Sequence, residues 1–105
     1  MQVRGEILNL LSSNFMKLEW QMSDQLVEVD VHGKTVFDAE HEVDLAIDSA
    51  VLGKEEVLRV IVGRGSGKLF SEIRVYLKND PRVAFVHDSN APHEIGAVLY
   101  PELAK

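Results

Sequence analysis

Asp30 and His32 stand two residues apart at the end of the β-branched run Val27-Glu28-Val29-Asp30-Val31, and Gly33 follows them. Side chains alternate along an extended strand, so a carboxylate and an imidazole at this spacing project from one face. A carboxylate beside an imidazole fixes its tautomer, which suits the ring to general base or general acid work. About thirty residues on, Val60-Ile61-Val62 runs into Gly63-Arg64-Gly65-Ser66-Gly67-Lys68. A glycine turn between strand and helix offers backbone N–H groups and a helix dipole to a phosphate, with Arg64 and Lys68 as clamping cations. It also has a plainer reading, as a tight connection that glycine permits.

The turn departs from the better known phosphate loops. A P-loop needs glycine five residues before Gly67 and a hydroxyl residue after Lys68, where this chain has Val62 and Leu69. The dinucleotide fingerprint needs glycine at 68, which is lysine. His87, Asp88 and His93 make a metal site only on paper, because zinc sites show fuller ligand sets, and no metal ligands are assigned. No serine or cysteine stands in a nucleophile-and-base pattern.

Both motifs sit where a strand gives way to a helix. After Gly33, Thr35 is placed as an N-cap with Asp38 in the first turn. Val36, Ala39, Val43, Ala46, Ile47, Ala50 and Val51 fall on one helical face, and Gly53 is the stop. Asp38, Glu40, Glu42, Asp44 and Asp48 make the opposite face, read as solvated, and His41 is read as surface. Val57 to Val62 is nearly all apolar, as in a central strand, with Arg59 interrupting it. A second helix starts at Ser66 or Gly67, turns Leu69, Ile73, Tyr76 and Leu77 inward, and is closed by Pro81. Val83 to His87 and Ala97 to Tyr100 read as an antiparallel pair across the Asp88 to Gly96 loop. A helical crossover between the first two strands makes them parallel and brings both glycine-terminated ends to one sheet edge, where ligands of open α/β sheets bind.

The expected fold is therefore α/β, a two-layer βαβαββ domain over residues 26–105 with two helices and a four-stranded mixed sheet. Residues 1–25 form an N-terminal extension. Within it Val3, Ile7, Leu10, Leu11, Phe15 and Leu18 have helical spacing, read as a helix packed on its own domain or as a partner-binding arm carrying Trp20.

The chain has 105 residues, no cysteine and a net charge of -6. Disulfides, iron-sulfur clusters and thiolate zinc sites are excluded, and a reducing, cytoplasmic location with no membrane segment is the expectation. The charge is unevenly placed: residues 28–56 carry -7 and residues 59–82 carry +4. A basic stretch on an acidic protein still binds phosphate locally.

Taken together, the two motifs resemble the Smr (small MutS-related) domain family, whose first motif reads Leu-Asp-x-His-Gly and whose second reads His-Gly-x-Gly-x-Gly before a helix. Val29-Asp30-Val31-His32-Gly33 matches the first with valine for leucine, and Gly63-Arg64-Gly65-Ser66-Gly67 matches the second after its opening histidine, which is Val62 here. The resemblance continues through Lys68-Leu69, Pro81-Arg82-Val83 and Gly96-Ala97-Val98-Leu99, covering roughly residues 27–103. It implies a fold similar to the C-terminal domain of bacterial translation initiation factor three, and endonuclease activity on DNA or RNA, some of it at stalled ribosomes.

The expected function is thus nucleic-acid endonuclease, with Asp30, His32 and Arg64 as catalytic residues. Gly63, Gly65, Ser66, Gly67, Lys68, Arg74 and Lys78 are the expected nucleic-acid contacts. RNA supplies its own nucleophile in the 2′-hydroxyl, whereas DNA calls for an activated water and a divalent metal such as magnesium, so the cofactor stays open with the substrate. The alternative is a non-catalytic nucleic-acid- or ribosome-binding module whose surface is Arg64, Lys68, Arg74, Lys78 and Arg82.

Overall fold

The computed structural model describes residues 26–105, so the expected N-terminal helix and Trp20 lie outside the described residues. Six elements follow in the order β1 (Val27–Asp30), α1 (Val36–Leu52), β2 (Leu58–Ile61), α2 (Lys68–Lys78), β3 (Val83–Asp88) and β4 (Val98–Leu103). The four strands form one sheet in the order β1-β2-β4-β3. β1 and β2 are parallel, with Asp30 beside Ile61, while β4 runs antiparallel to both β2 and β3. The βαβαββ mixed sheet with two helices is the architecture expected from the sequence.

The helix α1 begins where its capping chemistry places it. Thr35 Oγ1 accepts a hydrogen bond from the Asp38 N–H, filling one of the donors left open at a helix start. Ala39, Val43, Ile47 and Ala50 are buried, but Val51 is exposed, so the apolar stripe is narrower than its sequence pattern. Gly53 caps the helix at a negative φ, and Lys54 takes the left-handed conformation instead. Both helices cover the sheet face that presents Leu58, Val60, Val62, Val86, Leu99 and Leu103, and the main core lies between them.

The opposite sheet face holds a smaller cluster of Val57, Ala97, Val98 and Tyr100. By strand alternation Glu28, Asp30, Arg59 and Ile61 belong to this face. β4 runs three residues past the expected end at Tyr100, through Pro101. The β2–β4 register would set Leu58 against Pro101, and the ladder lapses there because proline has no N–H to give. Among the described residues no helix is long and apolar enough to cross a membrane.

Candidate functional site

At the carboxyl end of β1 the Val31 N–H still donates to the Ile61 carbonyl at 2.8 Å, and the chain then turns through Gly33 at φ 76°. His32 lies in that turn rather than on the strand. Its pairing with Asp30 is made by the turn: Asp30 Oδ1 accepts from His32 Nδ1 at 2.7 Å and from the His32 backbone N–H at 3.1 Å. These two hydrogen bonds hold the Asp30 carboxyl below its ordinary range. With Nδ1 donating, the lone pair of the neutral imidazole is on Nε2, which has no partner among the described residues.

Gly63 brings the second motif against this ring. It adopts φ 83°, and a Cβ placed on it would lie 2.9 Å from the His32 Cβ. Only glycine fits, so the two motifs touch at one sheet edge. Gly33, Lys34 and residues 62–67, with Leu69 and Phe70, line a shallow cleft of about 220 Å³. Asp30 and His32 stand beside this cleft, His32 packing on Gly63 at its wall, while larger concavities of about 380 and 410 Å³ lie elsewhere, along α2 and β3 and at the end of β4.

The glycine turn offers fewer donors than its sequence implies. The N–H groups of Val62 and Gly63 both donate to the Ala97 carbonyl, at 2.8 and 3.0 Å, and the Lys68 N–H donates to Ser66 Oγ at 3.3 Å. Gly63 therefore acts through its missing side chain and not through its amide. The amides of Arg64, Gly65, Ser66 and Gly67 make no hydrogen bond among the described residues, and Gly67 at φ 88° opens α2 without a side-chain cap. These four N–H groups and the dipole of α2 remain for an anion. Val62 is 3% exposed and packs in the core under the helices, so it presents no polar group to the cleft.

The expected cations divide into two groups. Arg64 donates through Nη2 to the Pro92 carbonyl at 3.2 Å and has no carboxylate partner among the described residues, and Lys68 stands exposed at the start of α2. Arg74 and Lys78 are not brought to the cleft: they line the concavity beside β3, where Arg74 is paired with Asp88 and lies over the Phe70 ring. Arg82, named for the alternative binding surface, is held by Asp44 at 2.5 Å, Asp48 at 2.5 Å and Asp80 at 2.7 Å. Those contacts raise its basicity well above the ordinary and tie the acidic face of α1 to the start of β3. Lys34, which no motif singled out, lines the cleft instead; its place directly after Gly33 was the available signal.

A second polar set went unread in the sequence. Arg59 Nη1 lies 2.6 Å from Glu94 Oε2 and its Nε lies 3.0 Å from Glu28 Oε1. Ser89 and Tyr100 hydroxyls donate to Glu94 Oε1 at 2.7 and 2.9 Å, and Arg59 donates to the Tyr100 oxygen. Burial works against the charge on Glu94, but the hydrogen bonds from Ser89, Tyr100 and Arg59 outweigh it and hold the carboxyl below its usual value. This network fixes the loop between β3 and β4.

A divalent ion fits these residues poorly. Asp30 Oδ1 is already committed to His32, leaving one carboxylate oxygen for an ion, and no three His, Cys, Asp or Glu side chains gather in an ion-holding cluster among the described residues.

Residues 29–103 match the family profile of the Smr domain. The chain is similar to endonuclease MutS2 of Finegoldia magna, 37% identical over 67 residues, and to endonuclease MutS2 of Thermus thermophilus, 38% identical over 65 residues. Those matches cover 64% and 62% of this chain but only 9% of each relative, so the chain spans less than a tenth of their length. The crystal structure of the Smr domain of Thermus thermophilus MutS2 superposes with a TM-score of 0.72 at 34% identity, covering 76% of this chain and 100% of that one.

Proposed function

We propose, from the premise that this chain belongs to the Smr domain family, that it is an endonuclease cleaving phosphodiester bonds, with RNA as its substrate. Its homology to the Smr domains of MutS2 endonucleases supports a function on nucleic acid. One observation carries the catalytic reading: His32 is locked by Asp30 in the tautomer that leaves Nε2 as a base, against a glycine turn that keeps four open amides. His32 Nε2 takes the proton of the attacking hydroxyl, and Asp30 orients the ring. Arg64 and the amides of residues 64–67 stabilise charge on the phosphorane, and Lys34 and Lys68 hold flanking phosphates. RNA is favoured because its 2′-hydroxyl is the nucleophile, so an imidazole and cations suffice.

Val62 favours a second reading. A buried apolar side chain at that position leaves a single imidazole from the two motifs beside the cleft, while the amides and cations that would bind a phosphate are intact. On this reading the domain docks on structured RNA or on a ribosome without cutting it.

The test is cleavage of end-labelled structured RNA and of nicked or branched DNA by the purified protein and by His32→Ala, with and without magnesium, with binding followed in parallel. The endonuclease reading expects cleavage that falls about 10²- to 10⁴-fold in the variant at unchanged binding. Equal trace cleavage by both proteins, with binding that weakens in salt, would establish the binding module instead.

A further inference from the structure

We propose that His93 is the general acid of this reaction, the proton donor to the departing 5′-oxygen. The inference rests on the RNA-cleaving reading above and completes it. A single imidazole that has accepted the nucleophile's proton leaves the alkoxide of the leaving group unprotonated, and the expulsion of that oxygen is the costlier half of the step.

Four histidines are present, and their surroundings differ sharply. His41 sits exposed on α1, and His87 is buried in β3 with Nε2 2.8 Å from Glu102. His93 is 82% exposed, yet the residues on either side of it are held. The preceding carbonyl, that of Pro92, is held by Arg64, and the far end of the same loop, the Ala97 carbonyl, is held by the amides of Val62 and Gly63. Between them Glu94 is clamped by Arg59, Ser89 and Tyr100, and its Oε2 lies 4.0 Å from His93 Nε2. The loop is therefore stapled to the glycine turn at both ends and to the sheet in its middle.

The backbone segments that carry the two exposed imidazoles are neighbours: Gly63 packs on the His32 Cβ, Arg64 follows Gly63 in sequence, and its guanidinium holds the Pro92 carbonyl just before His93. The sheet gives the same placement independently. Glu28 and Asp30 share one face of β1, Arg59 on β2 reaches from Glu28 to Glu94, and His93 stands beside Glu94 over that face. On this proposal a phosphate drawn to Arg64 meets a base from the turn after β1 on one side and an acid from the β3–β4 loop on the other.

The step balances as follows. His32 Nε2 removes the 2′-hydroxyl proton as that oxygen bonds to phosphorus, the bond from phosphorus to the 5′-oxygen breaks, and His93 as imidazolium passes its proton to that oxygen. The products are a 2′,3′-cyclic phosphate and a 5′-hydroxyl end, and solvent returns the two rings to their starting protonation.

The test uses the full chain and an RNA hairpin cleaved by the wild type, made also with sulfur in place of the bridging 5′-oxygen at the cleaved linkage. A thiolate leaves without protonation, so it removes the need for the acid. His93→Ala is expected to lose at least about tenfold on the oxygen substrate and to cleave the sulfur substrate as fast as wild type, whereas His32→Ala loses activity on both. A His93→Ala variant as active as wild type on both substrates, or equally impaired on both, overturns the assignment while leaving the endonuclease standing. A wild type that cleaves no RNA overturns the underlying reading and the assignment with it.

Discussion

Asp30–His32 and Glu94–Arg59 are each a carboxylate joined to a base on the same side of the sheet, and they are finished in opposite ways. Glu94 is buried and accepts three partners, so its charge is answered within the fold. Asp30 is half exposed, accepts only from its own turn, and leaves His32 with an unused ring nitrogen facing solvent. Arginines divide along the same line: Arg59, Arg74 and Arg82 are matched by acids, while Arg64 meets only a carbonyl. Reactive capacity lies where the structure has left valences open, and stability lies where it has closed them.

The strongest way to break that distinction is to remove one member from each pair. His32→Ala should lower cleavage about 10²- to 10⁴-fold while the melting temperature stays at the wild-type value. A matching loss of melting temperature would make Asp30–His32 structural. Glu94→Ala should do the reverse, costing about 3 kcal/mol of unfolding free energy in urea titration, because Arg59 is left without its buried counter-charge. An unaltered denaturation midpoint would show that the network contributes no net stability. Gly63→Ala sits between the two, since it strains a left-handed residue and collides with His32. We expect a loss of about 2 kcal/mol, with activity falling further than the added unfolded fraction explains, as kinetics at low temperature would show. The smallest effect is expected for Lys34→Ala, which should weaken RNA binding evenly across sequences and lower the slope of log affinity against log salt by about one. An unchanged slope would place the bound strand elsewhere.

Much of this was legible because it is local. The Thr35 cap, the buried face of α1, the apolar β2 strand and the glycine turn depend on neighbours within a few residues. The Asp30–His32 pair was also legible, although a turn and not strand alternation makes the contact. What escaped the sequence depends on distant partners. Arg82 meets acids 34 and 38 residues away, Arg59 meets a tyrosine 41 away, and the amide of Gly63 is taken by a carbonyl on the far side of the β3–β4 hairpin. A charge count sees six bases between residues 59 and 82, but only folding decides which of them remain available.

The clasp from Val62 and Gly63 to Ala97 also sets an order in time. A ribosome releases Asp30 and His32 first, the glycine turn next, and Ala97 only about thirty residues later. Both motifs are then already outside, yet the turn has nothing to close against. The site is in this sense unarmed until Ala97 has been made: single-turnover assays on a series of shortened chains should find no cleavage from any that stops between Lys68 and Ala97, although each carries every residue of the two motifs.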